Sequence, residues 1–325
     1  MKNLSTYFFI IFLTIRVTGQ TFSSTDPDYA MYVQAGEKAL KAMEYDSCIY
    51  YYQKGFKIKQ TSYLSTLRNA ACAHSKGSYD YRDEQLKIAF DINWGGSKQI
   101  YNDYDEFKYL RGTDFDNLIQ ELYERSAKAS GVNLEMMEEF ETLRYEDQRY
   151  RQQMSNYENG SPQMDSLWGL QSKADSKNTE RIIEVIEEHG YPGKSMVGPG
   201  HASTAFLIIQ HADLEIQQKY LTLITNAADA GEVQWSSVAL LLDRVRMREG
   251  KSQIYGSQLT RHPSQEGYVF HEIENPYQID SIRASVGLGT ISEYAKFFEL
   301  EWDVVEHIKE VKEMKAYDEA NLKKE

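Results

Sequence analysis

The sequence predicts an all-α protein, in which a short stack of helical hairpins precedes a helical-bundle domain with long polar loops. The 325 residues include only 6 Pro and 20 Gly, so few positions interrupt a helix. Leu, Glu, Lys, Ala and Tyr dominate the long segments, a composition that favours helices over many short strands. With 41% hydrophobic and 26% charged side chains, the chain has a globular profile that excludes disordered, collagen-like and multi-pass membrane classes.

The charge balance excludes two classes of partner. Lys and Arg number 36 against 49 Asp and Glu, which gives a net charge of -13 at pH 7. A protein that binds phosphate backbones or anionic lipid surfaces needs the opposite sign. We therefore expect neither a nucleic acid nor an anionic membrane surface as a partner.

Residues 1–19 have the pattern of a removable secretory signal peptide. Lys2 precedes an apolar run from Tyr7 to Ile15, and short residues at Val17 and Gly19 occupy the positions that a signal peptidase reads. A retained anchor would need about 20 apolar residues, and this run is about half as long. We expect cleavage near Gly19, a secreted or periplasmic protein, and no membrane span after signal removal.

Small and aromatic residues recur at a spacing of 34 residues within region 26–128. The aligned pairs are Ala39 with Ala73, Tyr45 with Tyr79, Gly55 with Ala89 and Phe56 with Phe90. Helix-turn-helix repeats show such a period, with small residues where paired helices touch. The region resembles tetratricopeptide repeats, which implies a groove for a protein or peptide partner. Only two units align, so a chance match between two amphipathic hairpins is the alternative.

Cys48 and Cys72 lie in helical, apolar stretches of this region. A buried thiol behaves as a small hydrophobic group, so we expect two unpaired core residues. A disulfide is the alternative that an oxidising compartment would allow, and the pairing cannot be deduced from the sequence. The spacing of Cys and His matches no structural zinc site.

The small, polar stretch 126–133 suits a boundary, and we expect a second helical domain over 130–325. Gly190 and Pro192 end one of its helices, and Thr290 with Glu293 forms a capping box that starts the last amphipathic run. Periodic apolar residues predict the other helices. The predicted ranges are 134–156, 178–189, 202–220, 236–248 and 290–311.

Six short polar motifs occur at the ends and edges of these helices. In order, they are DQxxR (Asp147, Gln148, Arg151), DxxN (Asp175, Asn178), HGxP (His189), QHAD (Gln210, His211, Asp213), DR (Asp243, Arg244) and QxYGxQ (Gln253, Tyr255, Gln258). This order resembles a bacterial family of uncharacterised domains over about residues 134 to 295. The resemblance implies that these polar residues belong to one site, and it carries no known reaction.

The two histidines of these motifs have ordinary as well as functional interpretations. Three interpretations of His211 are open. It is a hydrogen-bonded, partly buried imidazole with no further role, a residue that contacts a ligand or acts as acid or base, or a metal ligand. On a continuous helix Asp213 would lie about 200° around from His211, so the two could not bind one ion from the same face. His189 suits a helix C-terminus because of the dipole there. We predict no metal and no cofactor.

These residues lead to two hypotheses from different classes. The first is an exported interaction or binding protein, with a helical-repeat groove for a partner and a polar pocket for an unknown small ligand. The alternative is a hydrolase or transferase in which His211 acts as general base, oriented by Asp213 or Asp243. No nucleophile or metal set is recognisable, which favours binding. The ligand, any reaction and the oligomeric state stay open.

Overall fold

The computed structural model describes residues 26–58, 62–158 and 160–322. The predicted signal peptide, residues 1–19, lies outside the described residues. The architecture of the described part is all-α, as predicted, with one small antiparallel sheet of two strands. Within that part of the chain, none of the helices combines the length and the apolar character that crossing a bilayer requires.

The described residues form two compact units. The N-terminal unit contains residues 26–137 together with 198–200, and the C-terminal unit contains 138–197 and 201–322. The predicted domain boundary near residue 130 stays a prediction, since compact units and folding domains need not coincide.

The N-terminal unit is built from sequential helices. They are α1 (Pro27–Lys41), α2 (Tyr45–Phe56), α3 (Tyr63–Lys76), α4 (Tyr79–Asp103) and α5 (Asp114–Ala129), with a 3-10 helix at Asp105–Leu110. Helix α1 packs against α2, and α3 packs against α4, which bends at Asn93. Gly36 allows the first pair to approach closely, because a Cβ there would lie 2.9 Å from the ring of Tyr52. Tyr45 and Tyr79, aligned in the sequence, are the first residues of α2 and α4.

Cys48 and Cys72 form a disulfide, so the expectation of two unpaired thiols was wrong. Both residues are fully buried, as expected for core positions. Because α2 packs against α3, the Cα atoms of Cys48 and Cys72 are 6.4 Å apart, a separation that a disulfide can bridge. Hydrophobic patterning placed both residues in the core, but only the packing of two helices sets the distance between them.

The C-terminal unit contains most of the remaining helices and the sheet. They are α6 (Leu134–Met154), α7 (Pro162–His189), α8 (Lys194–Val197), α9 (Thr204–His211), α10 (Leu214–Asp229), α11 (Trp235–Arg248), β1 (Leu259–Thr260), β2 (Val269–Phe270), a 3-10 helix at Pro276–Gln278, α12 (Ile279–Ser285), α13 (Ile291–Lys296) and α14 (Val304–Leu322). The predicted capping box is present at the start of α13. In the sheet, Leu259 pairs with Phe270 and Thr260 with Val269.

The prediction of a single helix over 202–220 is wrong, because the chain forms two helices there. Helix α9 ends at His211, and Ala212 and Asp213 both have extended backbone conformations before α10 begins. Aspartate is a favoured residue at the N-cap position that Asp213 occupies. His211 and Asp213 therefore do not share a helix, and the angle calculated for a continuous helix does not apply to them.

His307 on α14 is expected to make the C-terminal unit sensitive to acid. Burial lowers its pKa to about 4, an effect that the nearby Glu272 opposes. An unfolded histidine has a pKa of about 6.5, so the unfolded state takes up a proton first. The contribution of His307 to stability is therefore present above about pH 6.5 and is lost as the pH falls from there toward 4.

We expect wild type to lose about 1 to 2 kcal/mol more than His307→Gln between pH 7 and pH 5. Urea unfolding at the two pH values measures this difference. His189→Gln, which changes an exposed histidine on α7, is the control and should follow wild type. An identical pH dependence in wild type and His307→Gln would contradict the prediction.

Candidate functional site

The centre of the candidate site is a buried pair formed by Asp147 and His211. Asp147 lies on α6, and His211 is the last residue of α9, 64 positions later in the chain. Nδ1 of His211 is 2.7 Å from Oδ1 of Asp147, and each side chain is only 1% exposed. The break in the predicted helix positions this pair, because α9 ends where its terminal imidazole meets α6. The carboxylate beside His211 is therefore that of Asp147, where the sequence had suggested Asp213 or Asp243.

Arg151 joins this pair to a second carboxylate on α7. Its Nη1 lies 3.3 Å from Oδ1 of Asp147 and also donates to the Asp147 carbonyl, one helical turn earlier. Its Nη2 lies 2.6 Å from Oδ2 of Asp175. Gln171 donates to the other oxygen of Asp175 at 2.7 Å, and Gln148 donates to Oδ2 of Asp147 at 2.5 Å. Helices α6, α7 and α9 thus contribute to one polar network.

The charges of the central pair follow from burial and from the neighbouring groups. Burial lowers the pKa of His211. The charge of Arg151 lowers it further, and the Asp147 carboxylate raises it without cancelling the effect of burial. The pKa of Asp147 is also below its usual value, because His211 and Arg151 outweigh the opposing effect of burial. The pair is accordingly a carboxylate and a neutral imidazole at pH 7. In that state Nδ1–H donates to Asp147, and Nε2 carries the lone pair.

Asp147, Asp175 and His211 could together ligate a metal ion. One ligand atom from each lies within 4.8 Å of the others. Two carboxylates and an imidazole are ligands that several divalent metals accept. However, the guanidinium of Arg151 already contacts both carboxylates, so a metal ion would have to compete with this fixed cation.

Asp243 on α11 binds a loop rather than an imidazole. Its carboxylate accepts hydrogen bonds from the backbone N–H groups of Ile254 at 2.7 Å, Tyr255 at 3.0 Å and Ser257 at 3.0 Å. Burial raises the pKa of Asp243, and these backbone donors act against that rise. Gly256 lets the loop approach its neighbours, because its φ is +64° and a Cβ would lie 2.6 Å from Ile291.

Gln253 and Gln258 brace the same loop. Nε2 of Gln253 donates to the carbonyls of Gln258 at 3.0 Å and His271 at 2.7 Å, and its Oε1 accepts from the Gln258 backbone at 2.8 Å. Arg283 donates to the Tyr255 carbonyl at 2.7 Å. These amide groups are largely used within the protein, which gives them a role in holding the loop.

The remaining predicted site residues are dispersed. Asn178 is buried and donates to the Leu143 carbonyl, so it ties α7 to α6. The carbonyl of Gln210 accepts from Gln217 at 2.7 Å. His189 is 37% exposed beside Glu188 at the end of α7, in keeping with the helix-dipole interpretation. Asp213 is exposed.

Three contributing residues were missed in the sequence. Gln171 supports Asp175, Arg248 donates to the Ala212 carbonyl at 2.9 Å, and the Tyr294 hydroxyl donates to the Ser257 carbonyl at 2.8 Å. A signal for Gln171 was available, because it precedes Asp175 by four residues and therefore lies on the same face of α7. The roles of Arg248 and Tyr294 depend on contacts between distant elements, so spacing alone carries no signal for them.

Comparison with known proteins supports the resemblance that the motifs suggested. Residues 134–305 match the family described as a Family of unknown function (DUF6624). This range contains the Asp147–His211 pair, Asp175 and the loop held by Asp243. Neither a curated protein nor a solved structure matches the chain. The match covers more than half of the sequence, and the chain therefore belongs to this family of unknown function, DUF6624.

Proposed function

We propose that the C-terminal unit is a hydrolase or transferase that acts on a small polar molecule, with His211 as its general base and Asp147 as the residue that orients it. The observation that carries this proposal is the buried contact of 2.7 Å between Nδ1 of His211 and Oδ1 of Asp147. A carboxylate in this position holds one tautomer of the imidazole and stabilises the imidazolium that forms when the base takes up a proton.

The state of the imidazole suits proton abstraction. Since burial keeps the pKa of His211 below its ordinary value, the base is deprotonated at pH 7. With the substrate bound against Nε2, this atom takes the proton from water or from a substrate hydroxyl, and the oxygen so activated forms a bond to the acyl, phosphoryl or glycosyl centre. The bond from that centre to the leaving group breaks, and the imidazolium gives its proton to the leaving group. Asp147 stays ionised throughout, because His211 and Arg151 hold its pKa low.

Arg151 and Asp175 serve as positioning residues in this mechanism. Two carboxylates and a backbone carbonyl hold the Arg151 guanidinium in place. Arg151 in turn fixes the carboxylate that orients His211. A substrate anion would have to displace one of these partners to reach Arg151, so we assign substrate contact to other residues.

A purely structural network is the ordinary alternative, and its energetics argue against it. Buried ion pairs are often no more stabilising than apolar residues of similar volume, because both charges lose their hydration. Ionisable groups with shifted pKa values that converge from separate helices are typical of functional sites. We therefore assign the network a role in catalysis.

The proposal is tested by comparing wild type with His211→Gln. Both are assayed with nitrophenyl acetate, nitrophenyl phosphate and nitrophenyl glucoside, which report acyl, phosphoryl and glycosyl transfer. Loss of a general base should lower the rate of the catalysed reaction by about 10²- to 10⁴-fold. Wild-type activity should also fall below neutral pH, as His211 becomes protonated.

His189→Gln is the matched control, because it changes an exposed histidine of the same unit. This variant should keep the wild-type rate. Equal rates in wild type and His211→Gln would remove His211 from the mechanism.

A binding or interaction protein is the second candidate, and one feature of the N-terminal unit favours it. A groove of about 750 Å³ there is lined by five charged side chains and by five apolar or aromatic ones, which are Leu40, Met43, Tyr45, Tyr104 and Tyr109. Met43 is 71% exposed, which is unusual for a large apolar side chain and suits contact with a protein or peptide partner. A wild-type protein inactive in the assays above would favour this candidate.

Export is part of the proposal for either function. The signal-like pattern of residues 1–19 supports it, and so does the Cys48–Cys72 disulfide. Disulfides persist in oxidising compartments and are rare in the reducing cytosol. We therefore propose that the protein acts outside the cytoplasm.

A further inference from the structure

Arg244 differs from every other buried arginine that the structure describes. Five arginines are buried: Arg68, Arg82, Arg151, Arg244 and Arg283. Four of them donate to carboxylates or to backbone carbonyls at 2.6 to 3.3 Å. Arg244 is only 6% exposed, its Nε is buried without a hydrogen-bond partner, and it forms no ion pair with the described residues.

An unpaired guanidinium inside a protein is energetically unfavourable. The buried Nε of Arg244 loses its hydration and gains neither a carboxylate nor a carbonyl in exchange. The residue before it offers no partner, since the Asp243 carboxylate is occupied by backbone N–H groups. Burial lowers the pKa of Arg244 to about 9, and Arg248 and Arg151 act in the same direction. The guanidinium therefore remains charged at pH 7, and a ligand is the natural source of its missing partner.

The position of Arg244 places this charge beside the proposed base. Arg248 follows one helical turn later on the same face of α11, and it donates to the carbonyl of Ala212, directly after His211. That face of α11 thus packs against the end of α9 where His211 lies. In agreement, the positive charge of Arg244 adds to the lowering of the pKa of His211.

We propose that Arg244 binds an oxyanion of the substrate, a carboxylate or a phosphoryl group, and holds it next to His211. A guanidinium presents two parallel N–H donors that match two oxygens of such a group, and the pair is strong where water is excluded. This inference rests on the proposed function and names the substrate class. A neutral sugar or an unmodified alkyl ester would leave Arg244 without its partner.

The experiment measures stabilisation of the full chain by two simple oxyanions. Melting temperatures are recorded during titration with inorganic phosphate and with acetate, at an ionic strength held constant with chloride. A ligand that binds only the folded state raises the melting temperature in a saturable way. A response to phosphate identifies a phosphoryl substrate, and a response to acetate identifies a carboxylate.

Three variants assign the response to Arg244. Arg244→Met replaces the charge with an apolar chain of similar length and should abolish the response. Without anion, this variant should melt at or above the wild-type temperature, because an unfavourable buried charge has been removed. Arg244→Lys keeps the charge but loses the paired donors, so its dissociation constant should rise about tenfold or more. Arg181→Met changes a half-buried arginine of α7 that already has carboxylate partners, and it should respond like wild type.

The outcomes separate this inference from the proposed catalysis. Wild type without a saturable response to either anion would overturn it, and so would a full response in Arg244→Met. A melting temperature of Arg244→Met well below wild type, measured without anion, would assign Arg244 a structural role instead. His211→Gln should keep the response, so an active His211→Gln protein would end the general-base proposal while leaving anion binding by Arg244 intact.

Discussion

Replacing Asp147 with alanine is expected to lower the free energy of unfolding by about 3 to 5 kcal/mol. The carboxylate is fully buried and contacts three side chains, those of His211, Arg151 and Gln148. Its removal leaves the Arg151 guanidinium with a single carboxylate and the His211 imidazole without its oxygen acceptor. The loss of stability comes from buried groups of Arg151 and His211 that are left without a partner. It is larger than the net contribution that the intact pair makes to the free energy of unfolding.

Urea unfolding followed by tryptophan fluorescence measures this effect. Trp168, Trp235 and Trp302 lie in the C-terminal unit, so the signal reports mainly on the part of the chain that contains Asp147. Asp147→Asn keeps the side-chain volume and removes the charge, and it should fall between wild type and Asp147→Ala.

Asp213→Ala is the control, because Asp213 was the rival carboxylate for His211 and is exposed. Substitutions at such surface positions usually change stability by less than about 0.5 kcal/mol. If Asp213→Ala proves as destabilising as Asp147→Ala, the loss does not come from the buried groups that Asp147 contacts.

Removing the Cys48–Cys72 disulfide is expected to cost the N-terminal unit about 3 to 4 kcal/mol. The bond closes a loop across a sequence separation of 24 residues, and it limits the conformations open to the unfolded chain. Both sulfur atoms are also buried between α2 and α3, so alanine at the two positions leaves unfilled space there. The double variant Cys48→Ala/Cys72→Ala should therefore unfold at a lower denaturant concentration than wild type.

Reductant supplies the matching control. It should shift the unfolding of wild type toward that of the double variant and leave the double variant unchanged. Thiol labelling of the denatured protein should detect no free cysteine until reductant is added. Wild type whose unfolding is insensitive to reductant would show that the crosslink contributes nothing to stability.

Local sequence signals predicted the fold class and several helix ends well. Helix α11 was expected over 236–248 and occurs at Trp235–Arg248, and the capping box of Thr290 and Glu293 is present. These features depend on residues within one or two helical turns. In contrast, the apolar stripe that continues through Ala212 to Ile216 predicted one helix where two occur. The spacing of apolar residues shows which face of a helix is buried. It does not reveal a short break between two helices when the apolar spacing continues across the break.

The candidate site shows the same division between local and distant information. The motifs selected Asp147, Arg151, Asp175 and His211, and the structure brings these four together. The orienting carboxylate of His211 was nevertheless expected at Asp213 or Asp243, which are closer to it in sequence. Asp243 instead holds the loop that begins at Ile254.

By itself, the sequence determined the helical class, the burial of the two cysteines, the family and the residues from which a site could be built. Those properties follow from composition, from periodicity and from motifs of a few residues. Only the tertiary structure decided that Asp147 faces His211, that Cys48 reaches Cys72 and that Arg244 has no hydrogen-bonding or ion-pair partner among the described residues. Each of these depends on the distance between elements far apart in the chain, and that distance is set when their apolar faces pack together.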